Sequence, residues 1–179
     1  MKQFFTVDRL STLRIGTSLS TGMTIQCEED HKNIESSLHE TLSRFLDGKY
    51  SRHGFNYLIE KKSMLSDPGL AMELILELIR QKDFPEKPSR LKSLFAWTSI
   101  ADADRFRRRE NRFKDSPIFE VIPRGTEYHL ADMNLLNISC ANSEFLQRCE
   151  WYWSGKGGPT PSWEAIISLP AKIGNAVKP

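Results

Sequence analysis

Glu164 stands at the junction between a loop rich in Gly, Pro and Ser (155–162) and an apolar run, WEAIISL, that has the composition of a strand. A carboxylate held at such a junction can stabilise developing positive charge or take a proton from a nucleophile. Because charged residues are mostly exposed, the alternative is a solvent-facing residue at a strand edge. The residues around Glu164 leave both interpretations open.

A second group of residues with chemical potential is the basic segment DRFRRRENRFK (104–114). On a helix, Phe106 and Phe113 lie one heptad apart and face the core, which leaves the basic residues on a solvated face. The more specific interpretation is that these basic residues form a strip that attracts RNA, DNA or an acidic protein. The formal net charge of +2 does not argue against it, because local clustering of Lys and Arg matters more than the total charge. The candidate acceptor-binding residues are Arg107, Arg108 and Arg112.

The length and composition of the chain indicate one globular domain over residues 1–179. A chain of this size buries roughly 70% of the surface that its unfolded form exposes. Its 39% hydrophobic and 27% charged residues are not typical of a disordered or membrane protein. No apolar run approaches the ~18 residues of a membrane span. We expect no membrane partner, and a cytoplasmic location or delivery into a target cell without a conventional signal peptide.

The cysteines and histidines show no spacing that predicts a disulfide framework or a metal site. The three cysteines, one of which is Cys27, are odd in number and contain no C-x-x-C pair. The four histidines show no metal-ligand spacing. We therefore expect reduced, mostly buried thiols and no bound metal.

The helices and strands that the sequence predicts around these residues indicate an α+β fold. A first helix is expected from about residue 30 to Gly48, and a second in DPGLAMELILELIRQK. Ser99 is the expected N-cap of a third helix, and SCANSEFLQRCEWYWSG predicts a fourth. The segment YSRHGFNYLIEKKSML is ambiguous. Strands are predicted in QFFTVDR, in LKSLFAWTS, twice in SPIFEVIPRGTEYHLADMNLLN, and once or twice in WEAIISLPAKIGNAVK.

Three segments, taken together, resemble the conserved blocks of ADP-ribosyltransferase-like domains, specifically a bacterial mono-ADP-ribosyltransferase-like subgroup. FFTVDR with STLRIG resembles the opening strand that bears an Arg or His, followed by a segment leading to a Gly. PSRLKSLFAWTSIADADRF resembles the strand with Ser/Thr residues that leads into a helix. YWSGKGGPTPSWEAIISLPAKI resembles the flexible loop and the strand that begins with the catalytic Glu. The blocks keep the family's order and reach from near residue 4 to near residue 174.

The resemblance implies a fold with a split mixed or antiparallel sheet, onto which N-terminal helices pack. It also implies transfer of ADP-ribose from NAD, as a substrate, to a macromolecule, without a metal. Breaking the bond between nicotinamide and ribose builds positive charge on the ribose, which a carboxylate such as Glu164 stabilises. A bacterial or phage-related toxin or effector, with an antitoxin or immunity protein as a partner, would fit the small size.

The resemblance also implies roles for residues in the first two blocks. By position, Arg9 would bind the NAD pyrophosphate through its guanidinium fork, and Arg90 is its rival for that role. Thr98 and Ser99 would bind the NAD ribose or hold the carboxylate in place. Trp97 is one of several aromatic residues that could stack on nicotinamide, together with Tyr57 and the WYW cluster at 151–153.

One departure from the family leaves the acceptor open. Many arginine-directed transferases carry a second acidic residue two positions before the catalytic Glu, and here that position is Ser162. We therefore expect a nucleic acid or a non-arginine protein residue as acceptor. The alternatives are a non-catalytic protein of the same fold that binds nucleic acid or a partner, and an RNA 2′-phosphotransferase, against which Glu164 argues.

Overall fold

The computed structural model of the chain describes residues 2–21, 49–60 and 68–178. Within these ranges the strands form a four-stranded sheet and a three-stranded sheet, and every strand pair is antiparallel. Helices alternate with these strands along the chain, so the predicted α+β class is confirmed. The first predicted helix, from about residue 30 to Gly48, and Cys27 lie outside the described residues.

The strands of the described ranges are β1 (Phe4–Val7), β2 (Ser18–Leu19), β3 (Ser93–Ala96), β4 (Ile118–Pro123), β5 (Tyr128–Asp132), β6 (Trp163–Ser168) and β7 (Ala171–Val177). Each segment in which the sequence predicts a strand contains one, whereas the short strand β2 lies where the sequence predicts none. The strand orders of the two sheets are β1-β4-β7-β2 and β3-β6-β5. Strands β4 and β5, which are consecutive in the chain, therefore belong to different sheets. The sheets meet where Phe5 and Trp97 exchange backbone hydrogen bonds of 2.8 and 2.7 Å.

The helices begin and end at residues with recognisable capping chemistry. They are α1 (Arg52–Phe55), α2 (Pro68–Asp83), α3 (Ile100–Arg109) and α4 (Asn142–Ser154). Pro68 suits the first helical position because its φ is fixed. Ser99 accepts the Asp102 N–H at 3.1 Å and is the predicted N-cap of α3. Gly155 ends α4 with a φ of 76°, which favours glycine. No helix in the described ranges combines the length and apolarity that a bilayer span needs.

The three-stranded sheet lies between the four-stranded sheet and helices α2 and α4, whereas α3 packs against β1 and β4. Ile166 packs in one cluster with Trp153 of α4, whereas Ala165 and Ile167 pack between the two sheets. Successive side chains of a strand point to opposite faces. Glu164 therefore lies on the same helix-covered face as Ile166. Its carboxylate is thus inside the molecule, near the start of β6.

Candidate functional site

A buried ionic cluster lies between the three-stranded sheet and helices α2 and α4. At its centre is Arg90, which is 5% exposed and stands in the short turn before β3. Its Nε and Nη2 donate to the two oxygens of Glu73 at 2.9 and 2.7 Å, and its Nη1 donates to Glu164 Oε1 at 2.7 Å. Nη1 also contacts the Tyr152 hydroxyl, which donates to Glu164 Oε1 at 2.6 Å. One guanidinium thus serves two carboxylates.

Burial and pairing together set the protonation of this cluster. Burial alone would lower the pKa of Arg90, but the surrounding negative charge, above all Glu73, raises it well above its usual value. Burial alone would raise the pKa of Glu73, but Arg90 and then His53 hold it well below its usual range. Burial raises the pKa of Tyr152 well above its usual value and lowers the pKa of His53. At neutral pH, Arg90 and Glu73 are charged and Tyr152 and His53 are neutral.

The loop before Glu164 is anchored by Asp132, the last residue of β5, which is fully buried. Asp132 Oδ1 accepts the N–H groups of Asn134 at 3.0 Å and of Ser162 at 2.7 Å, and Oδ2 accepts the N–H of Gly158 at 2.9 Å. Gly158 and Ser162 both belong to the Gly- and Pro-rich loop. The start of β6, and with it Glu164, is therefore held in place from the neighbouring strand.

Glu73 is a member of the cluster that the sequence interpretation missed. On α2 it is buried together with Leu70, Leu76 and Glu77, so an acidic side chain lies three residues after a core leucine on the same helix face. Charged residues are almost never buried unless they are paired. An acidic residue at the helical spacing of core residues was the signal that could have identified Glu73 and predicted a buried cation beside it.

A pocket of about 750 Å³ opens between the end of β1, strand β3 and helix α1. This central pocket is lined by two arginines, Arg9 and Arg52, and by the aromatic rings of His53, Tyr57 and Phe95, along with several Ser and Thr residues. Its volume lies in the range of small-molecule sites, which is roughly 300–1,000 Å³. The segment around α1, which is ambiguous in sequence, thus supplies much of one wall.

Two side chains of the pocket wall also touch the ionic cluster. His53 Nε2 lies 3.2 Å from Glu73 Oε1. The contact does not have hydrogen-bond geometry, and Nε2 has no hydrogen-bond partner among the described residues. The Phe95 ring centre lies 4.5 Å from the Arg90 guanidinium and 5.9 Å from the guanidinium of Arg9. The cluster is therefore separated from the central pocket by the thickness of one side chain.

The predicted site residues fall into three places in the structure. Arg9 is exposed and lines the central pocket. Arg90 and Glu164 meet in the buried cluster, where the N–H groups of Arg90 are directed at protein acceptors and not at the pocket.

The residues that follow β3 occupy the third place. Ser99 caps α3, and Trp97 is buried with its ring centre 4.4 Å from that of Phe106. Trp97, Thr98 and Ser99 are not among the described residues that line the central pocket. The structure therefore does not bring these three residues together with Arg9.

The phenylalanines of the basic segment face the core, as the heptad spacing predicts. Phe106 is buried and Phe113 is half-buried, and their ring centres are 6.3 Å apart. The side chain of Arg112 lies outside the part of the structure that is described. Among the other arginines, Arg105, Arg108 and Arg109 are exposed and Arg107 is half-buried.

Acidic residues of α3 pair with the arginines of the same helix. Asp104 accepts from Arg107 and Arg108, each at 2.7 Å, and Arg105 contacts Asp102 at 2.6 Å. The arginines of the Arg105–Asp102 and Arg108–Asp104 pairs are exposed, and such surface pairs do not prevent an arginine from turning to another anion. Helix α3 remains basic overall, because it contains four arginines and two aspartates.

The described residues offer neither a thiol nucleophile nor a metal site near the pocket. Cys149 is buried, and burial raises the pKa of its thiol to about 12, so the reactive thiolate is absent at neutral pH. Cys140 is a half-buried free thiol that does not line the central pocket. No group of three or more His, Cys, Asp or Glu side chains in the described ranges is placed to hold a metal ion.

A comparison with known protein families gives a match over nearly the whole chain. One family model, described as "Protein of unknown function (DUF2441)", matches residues 4–178. The match includes all seven described strands and the cluster residues Arg90 and Glu164. A search of curated proteins found no match to the chain. Because the family model covers nearly the whole sequence, the chain belongs to the DUF2441 family.

Proposed function

We propose that the protein is a mono-ADP-ribosyltransferase that transfers ADP-ribose from NAD to a macromolecular acceptor. The observation that carries the proposal is an arginine-lined, aromatic-walled pocket that adjoins a buried cluster in which two carboxylates share one guanidinium. The resemblance supports it independently, since it assigns NAD binding to the first block, which contains Arg9, and catalysis to the third block, which contains Glu164. A toxin or effector role, with an inhibitor protein as partner, is the part of the proposal that rests on the resemblance alone.

The lining of the central pocket suits a dinucleotide with two phosphates. Guanidinium groups bind phosphate oxygens through paired, charge-assisted hydrogen bonds, and Arg9 and Arg52 supply two of them. Flat aromatic bases and nicotinamide stack on aromatic rings, which Tyr57, His53 and Phe95 supply. The pocket lining thus includes arginines suited to the pyrophosphate of NAD and aromatic rings suited to its adenine and nicotinamide.

The charge of the ionic cluster suits a reaction that builds positive charge. Arg90 forms a two-point pair with Glu73, so the charge of Glu164 is only partly compensated. In a partly dry site, an excess carboxylate stabilises an oxocarbenium-like ribose much more than it would in water. Glu164 is therefore the group that we assign to transition-state stabilisation, and it is positioned before any substrate binds.

The direct experiment is incubation of the purified protein with NAD, followed by chromatographic measurement of nicotinamide. We expect nicotinamide release above the spontaneous rate, and label transfer from NAD to an acceptor when a cell extract is present. Digestion of the labelled product with protease or with nuclease then identifies the acceptor class. Absence of both release and transfer, in a protein that is folded, would overturn the proposal.

A non-catalytic binding protein on the same fold is the second candidate function. It is favoured by one observation: Glu164 is 4% exposed and is not among the described residues that line the central pocket. A binding protein of this kind would show a rise in melting temperature with NAD or with a nucleic acid but no nicotinamide release. The same incubation therefore separates the two candidates.

Arg9→Ala is expected to raise the KM for NAD by about tenfold or more, because a charge-assisted hydrogen bond to phosphate contributes roughly 1.5–3 kcal/mol. Arg9→Lys should restore only part of the affinity, since an ammonium lacks the guanidinium fork. The matched control is Arg14→Ala, because Arg14 lies in the same loop but lines a different pocket. If calorimetry gives equal NAD affinity for wild type and Arg9→Ala, Arg52 becomes the candidate phosphate ligand.

We also propose that the acceptor is a nucleic acid bound along the basic segment 104–114, which includes the sequence-based candidates Arg107, Arg108 and Arg112. The supporting observation is the excess of basic over acidic residues in the segment 104–114. Phosphate contacts make binding fall steeply with salt, with a slope set by the number of neutralised phosphates. The second support is the absence of an acidic residue at position 162, where arginine-directed transferases carry one.

The double variant Arg105→Glu with Arg108→Glu is expected to weaken RNA or DNA modification and to flatten its dependence on salt, while nicotinamide release stays the same. These two side chains are chosen because they are 75% and 69% exposed, so folding is not at risk. Lys82→Glu with Lys87→Glu is the charge-matched control on another surface. Label that survives nuclease but is lost with protease would contradict the nucleic-acid acceptor.

A further inference from the structure

We propose that Arg90 and Tyr152 are the positioning residues of the Glu164 carboxylate, a role that the family resemblance gives to Thr98 and Ser99. The inference rests on the proposed function, in which Glu164 acts on the substrate. It adds a pair of residues, one from the turn before β3 and one from α4, that decide how the carboxylate is oriented. It also gives the deeply buried Arg90 a purpose other than binding phosphate.

The contacts of Glu164 are made by one of its two oxygens. Oε1 accepts from Arg90 Nη1 at 2.7 Å and from the Tyr152 hydroxyl at 2.6 Å. Oε2 has no hydrogen-bond partner among the residues that the structure describes. Two donors on the same oxygen fix the rotation of the carboxylate about its last bond. The other oxygen is thereby left, in a fixed direction, for a substrate group.

Both positioning groups are themselves immobilised. Arg90 is held by its two-point pair with Glu73 and by contact of its guanidinium with the Phe95 ring at 4.5 Å. Tyr152 is fully buried on α4, and its ring centre lies 5.2 Å from that of Trp153. A side chain whose own rotamer is locked by packing can orient a catalytic group without reorganisation during the reaction.

Ser99, one of the two residues that the resemblance favours for this role, is engaged elsewhere. The Ser99 hydroxyl accepts the Asp102 N–H at 3.1 Å and donates to Asp102 Oδ2 at 2.6 Å. Its donor and its acceptor capacity are therefore both committed to the start of α3. In this chain, the direct hydrogen-bond donors to Glu164 within the described residues are Arg90 and Tyr152.

Tyr152→Phe tests the inference, because it keeps the ring and removes only the hydroxyl. We expect the kcat of nicotinamide release to fall by about tenfold or more, with the KM for NAD within about twofold of wild type. In a protein labelled with ¹³C-glutamate, the chemical shift of the Glu164 carboxyl signal, identified by its loss in Glu164→Gln, should change, because the carboxylate has lost a hydrogen-bond donor.

The matched control is Trp153→Phe, which removes a different hydrogen bond from the same buried helix. Trp153 Nε1 donates to the carbonyl of Leu76 at 2.9 Å and not to the cluster. We expect a lower melting temperature for Trp153→Phe but a ¹³C chemical shift of the Glu164 carboxyl equal to that of the wild type. An equal shift in both variants would show a general effect of α4 packing and would overturn the inference.

Failure of the proposed function and failure of this inference give different results. Wild-type protein without turnover would overturn the proposed function, and the ¹³C chemical shift alone would then decide whether Tyr152 orients the carboxylate. Active wild type together with a folded Tyr152→Phe of unchanged kcat and unchanged ¹³C chemical shift would overturn the inference and leave the proposed function standing.

Discussion

Glu164→Gln is expected to lower the rate of nicotinamide release by about 10²-fold or more while the protein remains folded. Glutamine keeps the shape of the side chain and an oxygen that can accept from Arg90 and Tyr152, but it removes the charge that stabilises an oxocarbenium-like ribose. Folding should survive because Arg90 keeps its two-point pair with Glu73. The measurement is single-turnover nicotinamide release, with the melting temperature as the check on folding.

Glu73→Gln is the matched control for this prediction, because it removes one carboxylate charge from the same cluster at a different place. If Glu164 acts on the substrate directly, Glu73→Gln should lower the rate much less than Glu164→Gln. Equal losses in the two variants would mean that the cluster acts only through its total charge. Unchanged turnover in a folded Glu164→Gln would remove Glu164 from the catalytic role.

Arg90→Met is expected to lower the free energy of unfolding by about 3–5 kcal/mol, because it leaves two buried carboxylates without their cation. Glu73 and Glu164 are 1% and 4% exposed, so water cannot replace the guanidinium at either one without opening the core. The loss is large against the roughly 5–15 kcal/mol that separates the folded and unfolded states of an ordinary domain. Urea denaturation, read as a shift of the midpoint, measures it.

Two comparisons make the Arg90 prediction specific. Arg105→Met removes an arginine with a contact of similar length to Asp102 on an exposed surface, and it should cost no more than about 0.5–1 kcal/mol. Adding Glu73→Gln to Arg90→Met should restore part of the lost stability, because it removes one of the two uncompensated charges. A loss below about 1 kcal/mol in Arg90→Met would show that the cluster is not the stabilising contact that its geometry indicates.

Most elements of the described structure could be predicted from the sequence. Helix α2 starts at Pro68, α3 starts after Ser99, and α4 ends at Gly155, because capping and helix propensity depend on neighbouring residues. The strand that begins at Trp163 and the inward direction of Phe106 follow from local periodicity in the same way. The NAD chemistry, by contrast, comes from the resemblance and remains a proposal.

The composition of the candidate site was decided by the tertiary structure. Local periodicity tells which face of an element is buried, but not which element will cover that face. Arg90 therefore reads as a possible phosphate ligand in the sequence, whereas the fold directs it to Glu73 on α2 and Glu164 on β6. The central pocket likewise depends on α1 meeting β1 and β3, which are distant in the chain. A buried charge is stable only beside its counter-charge, and packing alone determines which residues come together.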